Sequence, residues 1–253
     1  MKTVLITGCS SGFGLETARY FLSQRWKVVA TMRTPNAGVL PASEHLRILP
    51  LDVTDEASIL HAVQAAGPID ALVNNAGVGL LGAFESQTDA TIRDVFDTNV
   101  FGLMALTRAV LPQFRARRSG VVVNVASTVT LKALPLLAVY TASKAAVVAF
   151  TEVLAVELAP LNVQARVVLP GLGPSTQFGA NAMPRSMVQA PEEYAPMLQQ
   201  VMDGFQNYDG PVTTALQVAE AVWHAATDPV APVAVAAGDD AVALAKTRPV
   251  RPA

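Results

Sequence analysis

Short unbroken apolar runs alternate along the chain with longer segments in which apolar positions recur every three or four residues. The runs at 3–7, 27–32, 46–50, 70–74, 120–126, 162–169 and 232–236 predict strands buried on both faces. The segments 12–24, 55–66, 88–116, 139–159, 215–227 and 239–246 predict the intervening helices. Such alternation predicts an α/β fold, a doubly wound parallel sheet of about seven strands with helices on both faces. No repeat, low-complexity tract or Pro/Ser linker divides the 253 residues, so 1–253 is expected to form a single domain. In open sheets of this kind ligands bind beyond the carboxyl ends of the strands, which directs attention to the residues that follow each run.

Composition sharpens the picture. The chain is 51% hydrophobic and only 15% charged, against about 25% charged in an average domain, so much of it must be buried in a core or between subunits. The net charge of -2 argues against a nucleic-acid partner. The one basic cluster, Arg115, Arg117 and Arg118, lies at a predicted helix end, where cations face the helix dipole. The single cysteine, Cys9, rules out an internal disulfide, and the three histidines, His45, His61 and His224, have no metal-ligand spacing, so no metal site is expected. The first strand starts at the third residue and no run of about 18 apolar residues occurs, which leads us to expect no signal peptide, no membrane span and a cytoplasmic protein.

Candidate chemistry appears where strands end. Val4-Leu5-Ile6 runs into Thr7-Gly8-Cys9-Ser10-Ser11-Gly12-Phe13-Gly14 and then into a helical pattern. A glycine-rich strand-to-helix turn lets the backbone approach a pyrophosphate, while the free N–H groups and dipole of the helix N-terminus favour its negative charge. Tyr140 and Lys144 stand four apart in a predicted helix, so they share a face. A neighbouring cation favours the phenolate and draws a tyrosine toward a working pKa. Ser127, thirteen residues before Tyr140, offers a second hydroxyl for a carbonyl or alkoxide oxygen. Tyr-x-x-x-Lys alone is most often a solvated surface pair; its meaning comes from the company it keeps.

That company is Thr-Gly-x-x-x-Gly-x-Gly at 7–14, Asn74-Asn75-Ala76-Gly77, Asn99, Ser127, Tyr140 with Lys144, and Pro170-Gly171, over about residues 3–175. Together these resemble the motif set of the short-chain dehydrogenase/reductase family, in its compact single-domain, Rossmann-fold branch, and are similar to hydroxysteroid- and retinol-type NADP-linked oxidoreductases. The resemblance implies that Tyr140 is the general acid or base, that Lys144 lowers its pKa and binds the nicotinamide ribose, and that Ser127 holds the substrate oxygen. It implies that Asn99, within Asp97-Thr98-Asn99-Val100-Phe101-Gly102, interrupts a helix and anchors a proton-relay water, and that Asn74 ties the central strands together. Cofactor binding by Gly8, Ser10, Ser11, Gly12, Phe13, Gly14, Asp52, Val53, Asn75, Ala76, Gly77, Pro170 and Gly171 is implied in the same way, with Ser175 standing where the family usually has Thr.

The end of the second predicted strand bears on cofactor choice. Met32 and Arg33 stand where an NAD enzyme carries an acid for the ribose hydroxyls, and a guanidinium binds a 2′-phosphate, so NADP(H) is expected over NAD(H), with Ser11 adding a hydroxyl. The alternatives are an NAD-linked alcohol dehydrogenase and, from another class, a nucleotide-sensing or scaffold protein that keeps the fold without turnover. The retained Asn99, Ser127, Tyr140 and Lys144 speak against the second.

The connection 171–214, where the family places its substrate lid, combines Pro174, Pro184, Pro191 and Pro196 with Phe178, Met183, Met187, Met197, Met202 and Phe205 and a single basic residue, Arg185. It is read as a long loop without regular structure. Methionine adapts to irregular apolar surfaces, so the expected substrate is a small apolar carbonyl or alcohol of steroid, retinoid or aromatic type. Apolar residues all round 145–150 imply burial on two sides, and family members usually assemble, so a homodimer or homotetramer is expected.

Overall fold

A computed structural model of the chain describes residues 1–174 and 190–247. Seven strands form one sheet: β1 Thr3–Thr7, β2 Lys27–Met32, β3 Leu46–Pro50, β4 Ala71–Asn74, β5 Gly120–Val125, β6 Val163–Pro170 and β7 Ala234–Ala237. Their order is β3-β2-β1-β4-β5-β6-β7 and every pairing is parallel. This is the Rossmann-like doubly wound sheet that the alternation of apolar patterns predicts.

Residues of a strand point alternately to opposite faces, and the sequence supplies apolar side chains for both. Val4, Ile6, Val28 and Ala30 pack beneath Phe21 of α1, Gly12–Ser23, and Val218 and Val222 of α7, Ala215–Thr227. Leu5, Val29, Leu72 and Val122 pack on the other face with Ile59 of α2, Glu56–Ala66, Phe114 of α4, Leu103–Arg117, and Leu154 of α5, Ala138–Leu158. Phe21 is wholly buried and meets Trp26 and Trp223 edge-on at 5.3 and 5.0 Å between ring centroids. Burying a ring of that size stabilises the fold by about 2–3 kcal/mol.

The segment expected as one helix over 88–116 is helix, π-turn and helix: α3 Asp89–Phe96, a π segment Asp97–Gly102, and α4. Thr88 caps α3 by accepting from the Thr91 N–H. Pro112 is accommodated inside α4. The cluster at the end of α4 does more than face a dipole, because Arg117 donates to the Ile69 carbonyl and Arg118 to that of Pro160.

The connection over 171–214 departs from expectation. It contains α6, Ala195–Gln206, preceded by a 3-10 turn Glu192–Tyr194. Pro196, read as a breaker, sits in the first turn of α6, where proline lacks only an N–H that has no intrahelical partner anyway. The last helix among the described residues is α8, Asp239–Thr247. Among the described residues no helix is long and apolar enough to cross a membrane.

A buried side-chain relay fixes the middle of the sheet. Asn74 Nδ2 donates to Thr107 Oγ1 at 3.0 Å and to Asn124 Oδ1 at 2.9 Å, and Asn124 Nδ2 donates to Thr151 Oγ1 at 2.8 Å. Asn74 and Asn124 are register partners in β4 and β5, so the relay ties α4, β4, β5 and α5 into one block. Asn124→Ala removes partners from both neighbours in a dry environment, and we expect a loss of about 2–4 kcal/mol in urea unfolding. The loss in Asn74→Ala/Asn124→Ala should be less than the sum of the single losses; strict additivity would show that the two amides do not act as a unit.

Candidate active site

The site lies along the carboxyl edge of the sheet. At the end of β1, Gly8 and Gly12 have φ of +73° and +59°, conformations that side chains other than glycine seldom adopt. A Cβ on Gly14 would lie 2.3 Å from both Asn75 Nδ2 and the Gly8 carbonyl oxygen, so the turn closes only because position 14 has no side chain. Ser11 is the N-cap of α1 but makes no side-chain capping bond, and the first turn of α1 has no acidic residue. The turn therefore offers uncapped N–H groups and a hydroxyl to an anion. Ser10 is exposed and Phe13 partly buried against the core.

Thr7 locks this turn to the next loop. Its Oγ1 accepts from the Asn75 and Ala76 N–H groups at 3.0 and 2.9 Å, while Asn75 Nδ2 donates to the Thr7 carbonyl at 2.9 Å and the Gly8 carbonyl at 3.3 Å. Beyond β2, Met32 is buried in the core and Arg33 is exposed, so Arg33 is the side chain open to a ligand. Beyond β3, Asp52 accepts from both the N–H and the hydroxyl of Thr54. These bonds, the Thr54 N–H above all, with help from the Arg33 charge, hold its carboxyl below the usual range. Val53 is largely buried next to it.

Asn99 is buried in the π segment and pairs with Val78 as a strand would: its Oδ1 accepts from the Val78 N–H at 2.8 Å and its Nδ2 donates to the Val78 carbonyl at 2.9 Å. Nδ2 also donates to Ser143 Oγ at 3.0 Å, and Ser143 donates to the Tyr140 carbonyl at 2.7 Å. Asn99 thereby fixes the loop that carries Gly77 and the first turns of α5 together. A Cβ on Gly77 would stand 3.2 Å from Asn99 Oδ1 and 3.3 Å from Lys144 Nζ, which brings these three positions to one point.

Tyr140 and Lys144 lie on α5 and both are buried. Lys144 Nζ donates to the Val125 carbonyl at the end of β5 at 3.0 Å and lies 5.9 Å from the centre of the Tyr140 ring. An ammonium has three donors, so this bond leaves capacity for further acceptors. Ser127, just past β5, accepts from the Val129 N–H at 3.3 Å and hydrogen-bonds the Tyr140 phenol. Burial pushes the Tyr140 phenol well above its ordinary value, with Ser127 pulling the other way. Burial also draws Lys144 down to about 8. The expected descent of Tyr140 toward neutrality is thus not what the protein alone produces; removal from water outweighs the Ser127 hydrogen bond. The phenol carries its proton at neutral pH, the form in which a tyrosine can give one away.

Pro170 ends β6, and Gly171 follows with its N–H directed to Thr213 Oγ1 at 3.1 Å and the Ala237 carbonyl at 3.2 Å. Ser175 lies outside the described residues, as do Phe178, Met183, Pro184, Arg185 and Met187. A recess of about 340 Å³ bounded by Arg108, Arg115, Leu158 and Val163 opens at the start of β6, the end of the sheet away from this site.

Residues 2–185 match the family model described as short chain dehydrogenase. The chain belongs to this family. Short-chain dehydrogenases similar to it include retinol dehydrogenase 8 of Bos taurus, 43% identical over 183 residues, a match covering 67% of this chain and 58% of that protein. The chain thus spans less than two thirds of that relative's length. Among solved structures, the closed form of a serine dehydrogenase complexed with NADP+ superposes with a TM-score of 0.79 at 29% identity, covering 99% of this chain and 98% of that one. A 3-ketoacyl-(acyl-carrier-protein) reductase from Brucella melitensis complexed with NADH gives 0.77 at 28%, covering 93% and 96%. For this short-chain dehydrogenase, Thr7 and Ser143 join the site as residues whose part is visible only in three dimensions. Thr7 stands in the glycine motif, but nothing in the sequence shows that its hydroxyl reaches a loop 68 residues away.

The burial of Lys144 has a measurable signature. In a ¹⁵N-detected titration its amine should lose its proton near pH 8, with the cation present below and lost above. A midpoint near the ordinary 10.5 would contradict the environment described for it.

Proposed function

We propose that this short-chain dehydrogenase interconverts an apolar ketone or aldehyde and its alcohol with NADP(H) as cofactor. The observation that carries the reading is the buried Tyr140 phenol, bonded to Ser127 and one helical turn from a buried Lys144, on the sheet edge that also bears the glycine turn. A scaffold without turnover has no need of an ammonium held dry at that edge.

The residues fit a nicotinamide nucleotide. The diphosphate would rest on Ser10 to Gly14 at the uncapped start of α1, the adenine beside the Asp52-Val53 segment, and the nicotinamide near Asn75 to Gly77, Pro170 and Gly171, with Lys144 and Tyr140 on its ribose. When bound, the nicotinamide supplies or accepts the hydride. In reduction Tyr140 Oη gives its proton to the substrate oxygen as the carbonyl carbon is reduced, and the phenolate left behind is balanced by the Lys144 ammonium. Ser127 donates to the same oxygen and stabilises the negative charge that develops there, a contribution of about a hundredfold or more in rate for such donors. Asn99 keeps α5 and the Gly77 loop at the spacing this requires. In oxidation the proton flows the other way.

The exposed Arg33, without an acid beside it on β2, supports NADP(H) over NAD(H). Support for an apolar substrate comes from the segment 171–214, read as the lid. In α6 no side chain is buried, and Met197 and Phe205 are left over 40% exposed, available to a ligand. Beside α6 an open recess of about 470 Å³ is lined by Glu85, Pro191, Glu193, Tyr194 and Met197. Two carboxylates there repel an anionic substrate. The face of α5 formed by Ala142, Ala145, Ala149, Val153 and Val156 is exposed and apolar, is edged by the exposed Glu152 and Glu157, and together with the exposed Phe101 supports a homodimer or homotetramer built on it. The cytoplasm is the proposed compartment.

Tyr140→Phe should lower kcat by about a hundredfold or more while weakening NADPH binding only by a few fold, because the lost ribose bond is one among many to the nucleotide whereas the proton has no other source. Near-normal turnover by this variant would exclude Tyr140 as the acid. Arg33→Ala should weaken NADPH binding by about tenfold or more and leave NADH binding unchanged. Equal affinity of the parent for the two nucleotides would contradict the NADP assignment. In light scattering, Val153→Glu should shift the protein from an oligomer to a monomer; a monomeric parent at micromolar concentration would remove the assembly.

A further inference from the structure

Where the chain leaves β6 and where it returns before α7, the two strands of connection are held by one carboxylate. Asp240, in the first turn of α8, accepts from the Leu172 N–H through Oδ2 at 2.7 Å and from the Thr213 hydroxyl through Oδ1 at 2.6 Å. Thr213, fully buried, has its Oγ1 also 3.0 Å from the Ala237 carbonyl, and it accepts from the Gly171 N–H at 3.1 Å. The Thr213 N–H donates to the Leu172 carbonyl at 2.7 Å. A Cβ on Gly171 would lie 2.1 Å from Asp240 Oδ2, so the carboxylate lies directly over that glycine. Immediately after Thr213, Thr214 and Gln217 form a capping box that starts α7. The helix that supplies Asp240 also packs on the turn Thr128–Thr130, which Ser127 caps.

We propose that Asp240 is a positioning residue: its carboxylate, with Thr213, fixes the two stems of the 171–214 segment and the Pro170-Gly171 corner against the candidate active site. Sixty-eight residues separate Asp240 from Leu172, and no substrate or nucleotide contact is assigned to it. The physical case is that a carboxylate accepting an amide and a hydroxyl at short range makes charge-assisted bonds, stronger than the neutral bonds of an ordinary turn. An alanine at 240 leaves the Leu172 N–H without its acceptor and opens space above Gly171. The consequence for catalysis rests on the carbonyl-reduction reading above; the latch itself does not.

The test uses the full chain as Asp240→Ala, Asp240→Asn, Thr213→Val and Thr213→Ser. Amide hydrogen exchange at Gly171, Leu172 and Thr213 should be faster by about tenfold or more in Asp240→Ala and Thr213→Val. It should stay near the parent in Thr213→Ser, which keeps the hydroxyl, and fall between in Asp240→Asn, which keeps one acceptor oxygen. Exchange in β1 and β4 and the affinity for 2′,5′-ADP, a probe of the nucleotide's adenosine half, should not change. With NADPH and an apolar ketone, kcat/KM should fall about tenfold in the two damaging variants, mainly through KM, and recover in Thr213→Ser. Parent-like exchange at the three amides in both Asp240→Ala and Thr213→Val would overturn the proposal, as would a uniform rise throughout the sheet. A parent without carbonyl turnover, whose three amides nevertheless respond as described, would support the latch and refute the carbonyl-reduction reading.

Discussion

The arrangement turns on an ammonium that has been taken out of water. Lys144 is 4% exposed, and charge in that position is costly unless polar groups meet it. The carbonyl that ends β5 meets it directly, and a glycine at 77 allows the neighbouring loop to come close. Keeping that carbonyl in place requires β5 to stay in register with β4, which the Asn74 and Asn124 amides secure. Keeping the loop in place requires Asn99, whose side chain pairs with Val78 as if it were another stretch of backbone. Because that pairing needs Asn99 to face inward from the middle of a helix, the helix departs into a π-turn at that point, as helices often do where they serve a site.

Tyr140 follows from the same burial. Its phenol is held in the protonated form by the dry environment and eased toward release by Ser127. Burial thus moves Tyr140 and Lys144 in opposite directions, and each is left in a state useful for passing one proton at neutral pH. The dominant cause in both is solvent exclusion.

Much of the fold was legible because parallel strands buried on both faces leave plain apolar runs; the strands expected at 3–7, 27–32 and 46–50 have those bounds in the structure. The glycine turn, Asn99, Ser127, Tyr140 and Lys144 were legible as a motif set, and the structure brings them to one edge. What escaped has physical reasons. Pro196 reads as a breaker, yet proline is tolerated in the first turn of a helix, so α6 was hidden behind it. Burial of Met32, which leaves Arg33 as the exposed position, depends on packing against the core and cannot be read from two adjacent letters. The bonds of Thr7 to Asn75 and of Asp240 to Leu172 join residues nearly seventy apart, and a single sequence has no local signal for such pairs.

The most direct test of the central claim, that this buried edge is built to work on a nicotinamide nucleotide, is a crystal structure of the protein with NADP+ bound. The diphosphate is expected on the amides at the start of α1, and the nicotinamide ribose within hydrogen-bonding distance of both Lys144 Nζ and Tyr140 Oη. A nucleotide seated elsewhere, or one whose ribose leaves Lys144 bonded to the Val125 carbonyl alone, would contradict it.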